Sequence, residues 1–343
     1  MSIEQSGSAS LRSLTVVLKR WTVMLSVSVV AATAMLGLIM FTGSGREPQD
    51  AFAQIPDKVA FDLRFAIVDQ KQILSGGPPK DGIPALTRPA FITAEQADYL
   101  QPEDRVIGVR QGDVMRAYPL AILNYHEIVN DRIGETPFAV TYCPLCDSAA
   151  VFDRRTPLGE REFGVSGLLY NSNVLMYDRG GKPESLWSQV RSTGISGPGS
   201  KKRLMALPCE LTTWESWKSR YPRTAILSAK TGHQRDYRRN PYAEYFANPQ
   251  LMFPVTPVSQ RFPNKERVLG VWVGDQYRAY PESGFPAGTS EITDVVGDKQ
   301  ITVVLDREAK TLRVAKADDG ASWMYSFWFA WYALHPDTSV YGE

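Results

Sequence analysis

The feature that most constrains this chain is a pattern that occurs twice at identical internal spacing. Val106-Ile107-Gly108-Val109 runs through Gly112-Asp113 to Arg116-Ala117-Tyr118-Pro119, and Val268-Leu269-Gly270-Val271 runs through Gly274-Asp275 to Arg278-Ala279-Tyr280-Pro281. Each copy is an alternating run, a Gly-Asp turn and a second short run, which is a β-hairpin signature. The copies also close alike. Trp214-Glu215-Ser216-Trp217 with Tyr221-Pro222-Arg223-Thr224 matches Trp328-Phe329-Ala330-Trp331 with His335-Pro336-Asp337-Thr338. Two tryptophans three apart predict a helix whose aromatic face packs on the sheet. Two matches in one order point to an internal duplication. The first copy is the longer, and its extra residues fall mostly between Asp153 and Trp214. Extra material on a repeated scaffold is where function tends to sit.

The fold expected is therefore α+β and β-rich, with two internally duplicated sheet-plus-helix units. The 26 glycines and 23 prolines agree, since they favour many turns and short strands. Lys+Arg 38 against Asp+Glu 37 leaves no electrostatic footprint for nucleic acid.

Ahead of both units, Trp21 to Phe41 carries no charge. At 1.5 Å per residue it reaches about 31 Å, the thickness of a bilayer's hydrocarbon core. Arg12, Lys19 and Arg20 precede it, while Arg46, Glu47 and Asp50 follow and nearly cancel. The positive-inside rule then places the N-terminus in the cytoplasm and the bulk of the chain on the periplasmic, extracytoplasmic side of the inner membrane. The expected organisation is a cytoplasmic tail over 1–20, a single-pass transmembrane anchor over 21–42 and a linker over 43–60. The first unit follows over 61–230, and a second, degenerate unit over 231–343. Cleavage at Ala51-Phe52-Ala53 as a signal peptide is the competing reading. Either way the domain is exported, with the membrane, and a complex of membrane proteins, as its expected partners.

The chemistry is expected at Cys143-Pro144-Leu145-Cys146. The parallel stretch of the second copy, residues 291–306, keeps the strand but has neither cysteine nor histidine. A scaffold needs the strand; only chemistry needs the thiols. Three readings stand. Two thiolates from one turn are natural ligands for copper or zinc, with His126 as the third and Glu127 or Asp147 orienting it or lending an oxygen. The pair can instead be a thiol–disulfide redox module, or a static disulfide or two buried thiols. A non-enzymatic accessory subunit is a further alternative. Cys209 stands apart, and three cysteines do not make a disulfide framework. A polar pocket wall is expected from Tyr142, Ser166, Tyr170, Asn171, Ser172 and Trp187, although turn formation explains several of these equally well. Gly164-Val165-Ser166-Gly167 is one residue short of a serine-hydrolase elbow, and no phosphate loop or dinucleotide fingerprint appears.

Several long strings in order resemble the DUF3179 family of uncharacterised bacterial and archaeal proteins. They are Thr-Tyr-Cys-Pro-Leu-Cys with Ala-Val-Phe-Asp-Arg, then Phe-Gly-Val-Ser-Gly-Leu-Leu-Tyr-Asn-Ser, Met-Tyr-Asp-Arg, Leu-Trp-Ser-Gln and Arg-Asp-Tyr with Pro-Tyr. The resemblance covers residues 60 to 260 and implies which residues matter without implying a mechanism. The family pattern has glycine after the second cysteine, where this chain has Asp147.

Overall fold

In the computed structural model, residues 61–343 are described. The expected anchor, tail and linker lie outside them. Among the described residues no helix is long and apolar enough to cross a membrane, and β-strands far outnumber helical turns.

Both hairpin signatures fold as hairpins. Strand Arg105–Gln111 pairs with Val114–Pro119, and Arg267–Val273 pairs with Gln276–Pro281. Each two-residue loop opens on a glycine with positive φ, 58° at Gly112 and 60° at Gly274, which that turn needs and glycine adopts without strain.

Around each hairpin the same parts assemble in the same register. Strand Cys209–Thr213 lies antiparallel to the first, with Thr213 opposite Arg105; Ser322–Phe327 lies so in the second, with Phe327 opposite Arg267. A helix then crosses, α2 (Trp214–Arg220) or α4 (Trp328–Leu334). A last short strand returns parallel to the hairpin's second strand. Ile226 faces Ala117 in the first unit, and Val340 faces Ala279 in the second.

The repeated sequence signals now have physical roles. Trp217 lies flat on Gly108, so close that a Cβ there would fall 2.1 Å from its ring, and Trp331 lies on Gly270 with 2.2 Å. Each indole N–H donates to the threonine of its Pro-x-Thr, Trp217 to Thr224 and Trp331 to Thr338, both at 3.0 Å. The Arg-x-Tyr of each hairpin holds one aspartate. Arg116 and Tyr118 grip Asp131, each at 2.5 Å; Arg278 and Tyr280 grip Asp294 at 2.7 and 2.8 Å.

Each unit also has a three-stranded meander, and each meander sits with the other unit. Strands Ile128–Ile133, Thr136–Cys143 and Ser148–Asp153 form the first. Its last strand pairs with Ser322–Phe327 through Ala149 and Tyr325. Strands Glu291–Val296, Lys299–Asp306 and Thr311–Ala317 form the second. It reaches back to the first unit, where Ser216 donates to Asp306 at 2.8 Å and Thr212 meets Thr311 at 3.4 Å. The two units are thus interlocked.

The extra residues between Asp153 and Trp214 build four strands of a further five-stranded sheet, Glu162–Tyr170, Asn173–Arg179, Leu186–Ser188 and Thr193–Ser196, which Ile73–Ser75 from ahead of the first hairpin completes. It packs on the meander that carries the cysteines, in one core with Cys143, Cys146, Phe163, Met176 and Trp187.

Substituting Gly270 by alanine forces Trp331 off the strand and should destabilise the protein by about 1–3 kcal/mol, the range for overpacking a core. Chemical denaturation of the purified variant measures this. Gly108→Ala should behave alike through Trp217.

Candidate functional site

Cys143 ends a strand and pairs with Ser148, so residues 144–147 form the loop between two core strands. Within it the Cys146 amide donates to the Cys143 carbonyl at 3.1 Å, which sets the two side chains side by side. Asp147 closes the turn with φ 47°. That is the left-handed region glycine favours, and aspartate tolerates it better than most residues. A glycine in the family pattern and an aspartate here thus serve one backbone.

The aspartate brings a charge to a place water does not reach. Asp147 is 1% exposed. Arg105 spans both its oxygens at 2.7 and 2.8 Å, Arg267 donates at 3.0 Å and Tyr142 at 2.8 Å. Burial pushes its pKa up, but the two guanidinium charges outweigh that and hold it below the usual carboxylate range. Arg105 and Arg267 are matching residues of the two units, so one carboxylate is shared between them. Asp147 clamps the two hairpins together.

Both cysteines are free and buried, Cys143 1% exposed and Cys146 0%. The carbonyl of Ser172 lies 3.2 Å from Cys146 Sγ and 3.9 Å from Cys143 Sγ. Burial raises the Cys143 pKa, yet donation from Cys146 and from the amides of Val174, Cys146 and Leu145 outweighs it and leaves the thiol below its ordinary value. Burial and then the Cys143 charge drive Cys146 well above. The pair is asymmetric, with Cys143 the more acidic and Cys146 the less.

The Ser172 carbonyl is aimed by a tight turn in which Asn171 and Ser172 have φ 51° and 65°, between the paired residues Tyr170 and Asn173. Asn173, the last of the polar Asn171-Ser172-Asn173 cluster, reaches the site. It donates to Ser148 at 3.3 Å and to Gln189 at 3.0 Å, and Gln189 donates to Thr141 at 2.9 Å, giving the cysteines a satisfied polar floor. The other wall residues serve elsewhere. Asn171 binds the Thr256 backbone, Ser166 caps the bend at Gly167 by donating to Leu175, and Tyr170 and Trp187 are core.

The structure does not bring His126 to the sulfurs. It ends α1 (Leu120–His126), with Nδ1 2.7 Å from the Pro84 carbonyl and Nε2 2.6 Å from the Tyr237 hydroxyl. Both ring nitrogens are engaged, and neither Glu127 nor Asp147 orients it. Among the described residues no group of three His, Cys, Asp or Glu side chains is placed to hold a metal. Cys209 lies in a strand paired with Val109, away from the pair.

Glu127 is the residue the sequence undervalued. Its side chain is buried, and burial followed by the Cys143 charge raises its carboxyl well above the ordinary value. Over the same place folds the connector between the units. Tyr242 feels the charges of Glu127 and Cys143, and Tyr245, in α3 (Ala243–Ala247), donates to the Leu145 carbonyl at 2.8 Å. A cavity of about 650 Å³ opens beside Tyr142, Tyr237 and Arg105 without a cysteine in its wall.

The family described as "Protein of unknown function (DUF3179)" matches residues 80–325, which span the hairpins, the cysteine turn and the added sheet. The chain belongs to that family. No curated protein and no solved structure matches it.

Asp147→Asn keeps the size and backbone tolerance of the side chain and removes only the charge. Leaving two arginines without their shared partner should cost about 3–5 kcal/mol, measured by chemical denaturation. Burial lowers the pKa of both His126 and His335 from 6.5 to about 4. The unfolded chain therefore takes up protons below pH 6.5 that the fold refuses. Their contribution to stability is complete above that pH and is lost as pH falls toward 4. A denaturation midpoint followed from pH 7 to 4 should fall accordingly, and His335→Gln should flatten the fall.

Proposed function

We propose that this DUF3179 protein is a membrane-anchored, extracytoplasmic protein whose Cys143/Cys146 pair is a thiol–disulfide redox centre. The observation that carries the reading is the geometry of the pair. Two free cysteines of one turn converge on the Ser172 carbonyl, Cys143 the more acidic of the two, and the neighbouring polar side chains are hydrogen-bonded to one another. In the exchange, the Cys143 thiolate displaces one half of an external disulfide, forming one S–S bond as another breaks. Cys146 then gives up its proton and displaces the second half, leaving the Cys143–Cys146 disulfide and two reduced thiols. The anchor reading is supported by the uncharged span 21–42 and its flanking charges, and the export it implies suits disulfide chemistry. Matching topology and register support an internal duplication as the origin of the two units. Copper or zinc at the pair remains the competing proposal. Soft thiolates suit Cu(I) best, but His126 is committed to Pro84 and Tyr237.

Redox titration of the full-length chain tests the choice. The pair should close reversibly into a disulfide with a potential above about −300 mV, outside the structural range. With the connector folded, alkylation should be slow and fall on Cys143 before Cys146. Copper or zinc bound in stoichiometric amount, and lost in Cys143→Ser or Cys146→Ser, overturns the redox reading; so does a pair that never oxidises.

A further inference from the structure

We propose that the cavity lined by the loop ahead of the first hairpin and by the connector is a binding site for a small zwitterion, a molecule carrying both an ammonium and a carboxylate, such as a free amino acid or a short peptide. The inference is independent of the redox reading, because no cysteine lines this cavity.

The cavity holds about 650 Å³, within the range of small-molecule sites. Its opposite charges come from different parts of the chain. The loop brings Asp98, Glu103 and Asp104, and the connector brings Arg238 and Arg239. They line one cavity yet do not close on one another. Among the described residues, the side chains of Asp98, Glu103, Arg238 and Arg239 form no ion pair and no hydrogen bond. Asp104 differs, its Oδ2 accepting from the Gln101 amide at 2.8 Å. Arg105 and Arg267 also belong to the lining, but both are committed to Asp147.

Both walls are fixed without a ligand. The Asp104 carbonyl accepts from the Trp214 amide at 2.7 Å, and the Pro102 carbonyl from the Glu215 amide at 2.9 Å, which ties the loop to the start of α2. Across from it, the Arg239 carbonyl accepts from the Tyr125 hydroxyl at 2.9 Å. The Arg238 amide donates to Asp236 at 3.2 Å. Binding need not order these segments, and ordering is where much affinity is otherwise lost.

Helix α1 adds a demand of its own. Asn124 lines the cavity and is 8% exposed. Its amide nitrogen donates to Asn240 at 3.4 Å, but its Oδ1 is buried without a hydrogen-bond partner. A buried carbonyl oxygen left so is costly, and a donor removes the cost. A carboxylate cannot answer it; an ammonium can. The two free guanidiniums ask for the converse, acceptor oxygens that match their fork of N–H groups. An inorganic anion would satisfy only the arginines, and a simple cation only Asn124 and the acids. A zwitterion satisfies both. Tyr99, Tyr237 and Phe246 complete the lining with aromatic surface for the ligand's apolar part.

Calorimetric titration of the full-length chain tests this with four probes. L-Phenylalanine and the dipeptide glycyl-L-phenylalanine carry both charges, 3-phenylpropionate keeps only the carboxylate, and phenethylamine only the ammonium. At least one zwitterion should bind with a Kd of about 10 mM or tighter, and the tighter of the two tells a free amino acid from a peptide. Each singly charged probe should bind at least about 10-fold more weakly, for want of one charge-assisted contact. Arg238→Gln with Arg239→Gln should bring the zwitterion down to the level of phenethylamine. Asp98→Asn with Glu103→Gln should bring it down to the level of 3-phenylpropionate. Both double variants should unfold at the wild-type denaturant midpoint, since none of the four side chains has an internal partner. The probe series on the wild type decides even where a variant fails to fold. Neither zwitterion binding at about 10 mM, 3-phenylpropionate or phenethylamine binding as tightly as the zwitterion, or a folded double variant binding as the wild type does, overturns the proposal.

Discussion

A carboxylate sealed from water survives only if cations come to it, and Asp147 draws one from each unit. Arg105 and Arg267 stand at matching places on the two hairpins, and both reach the same side chain. The carboxylate lies one residue after Cys146, in the turn that fixes the spacing of the thiols. The contact that ties the units together therefore also shapes the site. A buried ion pair of this kind is weak support for stability as such, because desolvation consumes much of its Coulombic gain. What it sets is geometry: one carboxylate is held by a guanidinium from each hairpin.

The interlocking of the meanders serves the same end. Each unit alone would expose the edge of its strand Cys209–Thr213 or Ser322–Phe327, and unpaired edges invite wrong partners. Pairing Ser322–Phe327 with the first meander covers that edge and places the cysteine turn in the seam, where the added sheet closes it from the side. The cysteine pair is thus embedded where strands of both units meet.

Much of this was legible in the residues. Identical spacing revealed two hairpins, and the Gly, Trp and Thr of each copy do matching physical work. Gly108 and Gly270 are glycines because an indole lies on them, and Thr224 and Thr338 accept those indoles' protons. The cysteine pair was legible because the second copy lacks it. His126 misled for a related reason. It is absent from the second copy because it holds the connector through Tyr237, a contact more than a hundred residues away in sequence that no spacing rule reveals. Where Asn173 and Glu127 point was not legible, because that depends on which groups the fold brings to face them. The exchange of meanders was likewise invisible, since either pairing satisfies the same alternation of apolar and polar residues.

The arrangement of charge explains why the thiol site behaves as it does. The nearest guanidiniums are spent on Asp147, so Cys143 is held by backbone amides and a neighbouring thiol, not by a cation. Amide donation outweighs burial at Cys143, whereas burial prevails at Cys146 and at Glu127, so the acidities of three neighbouring groups are driven apart by the backbone around them.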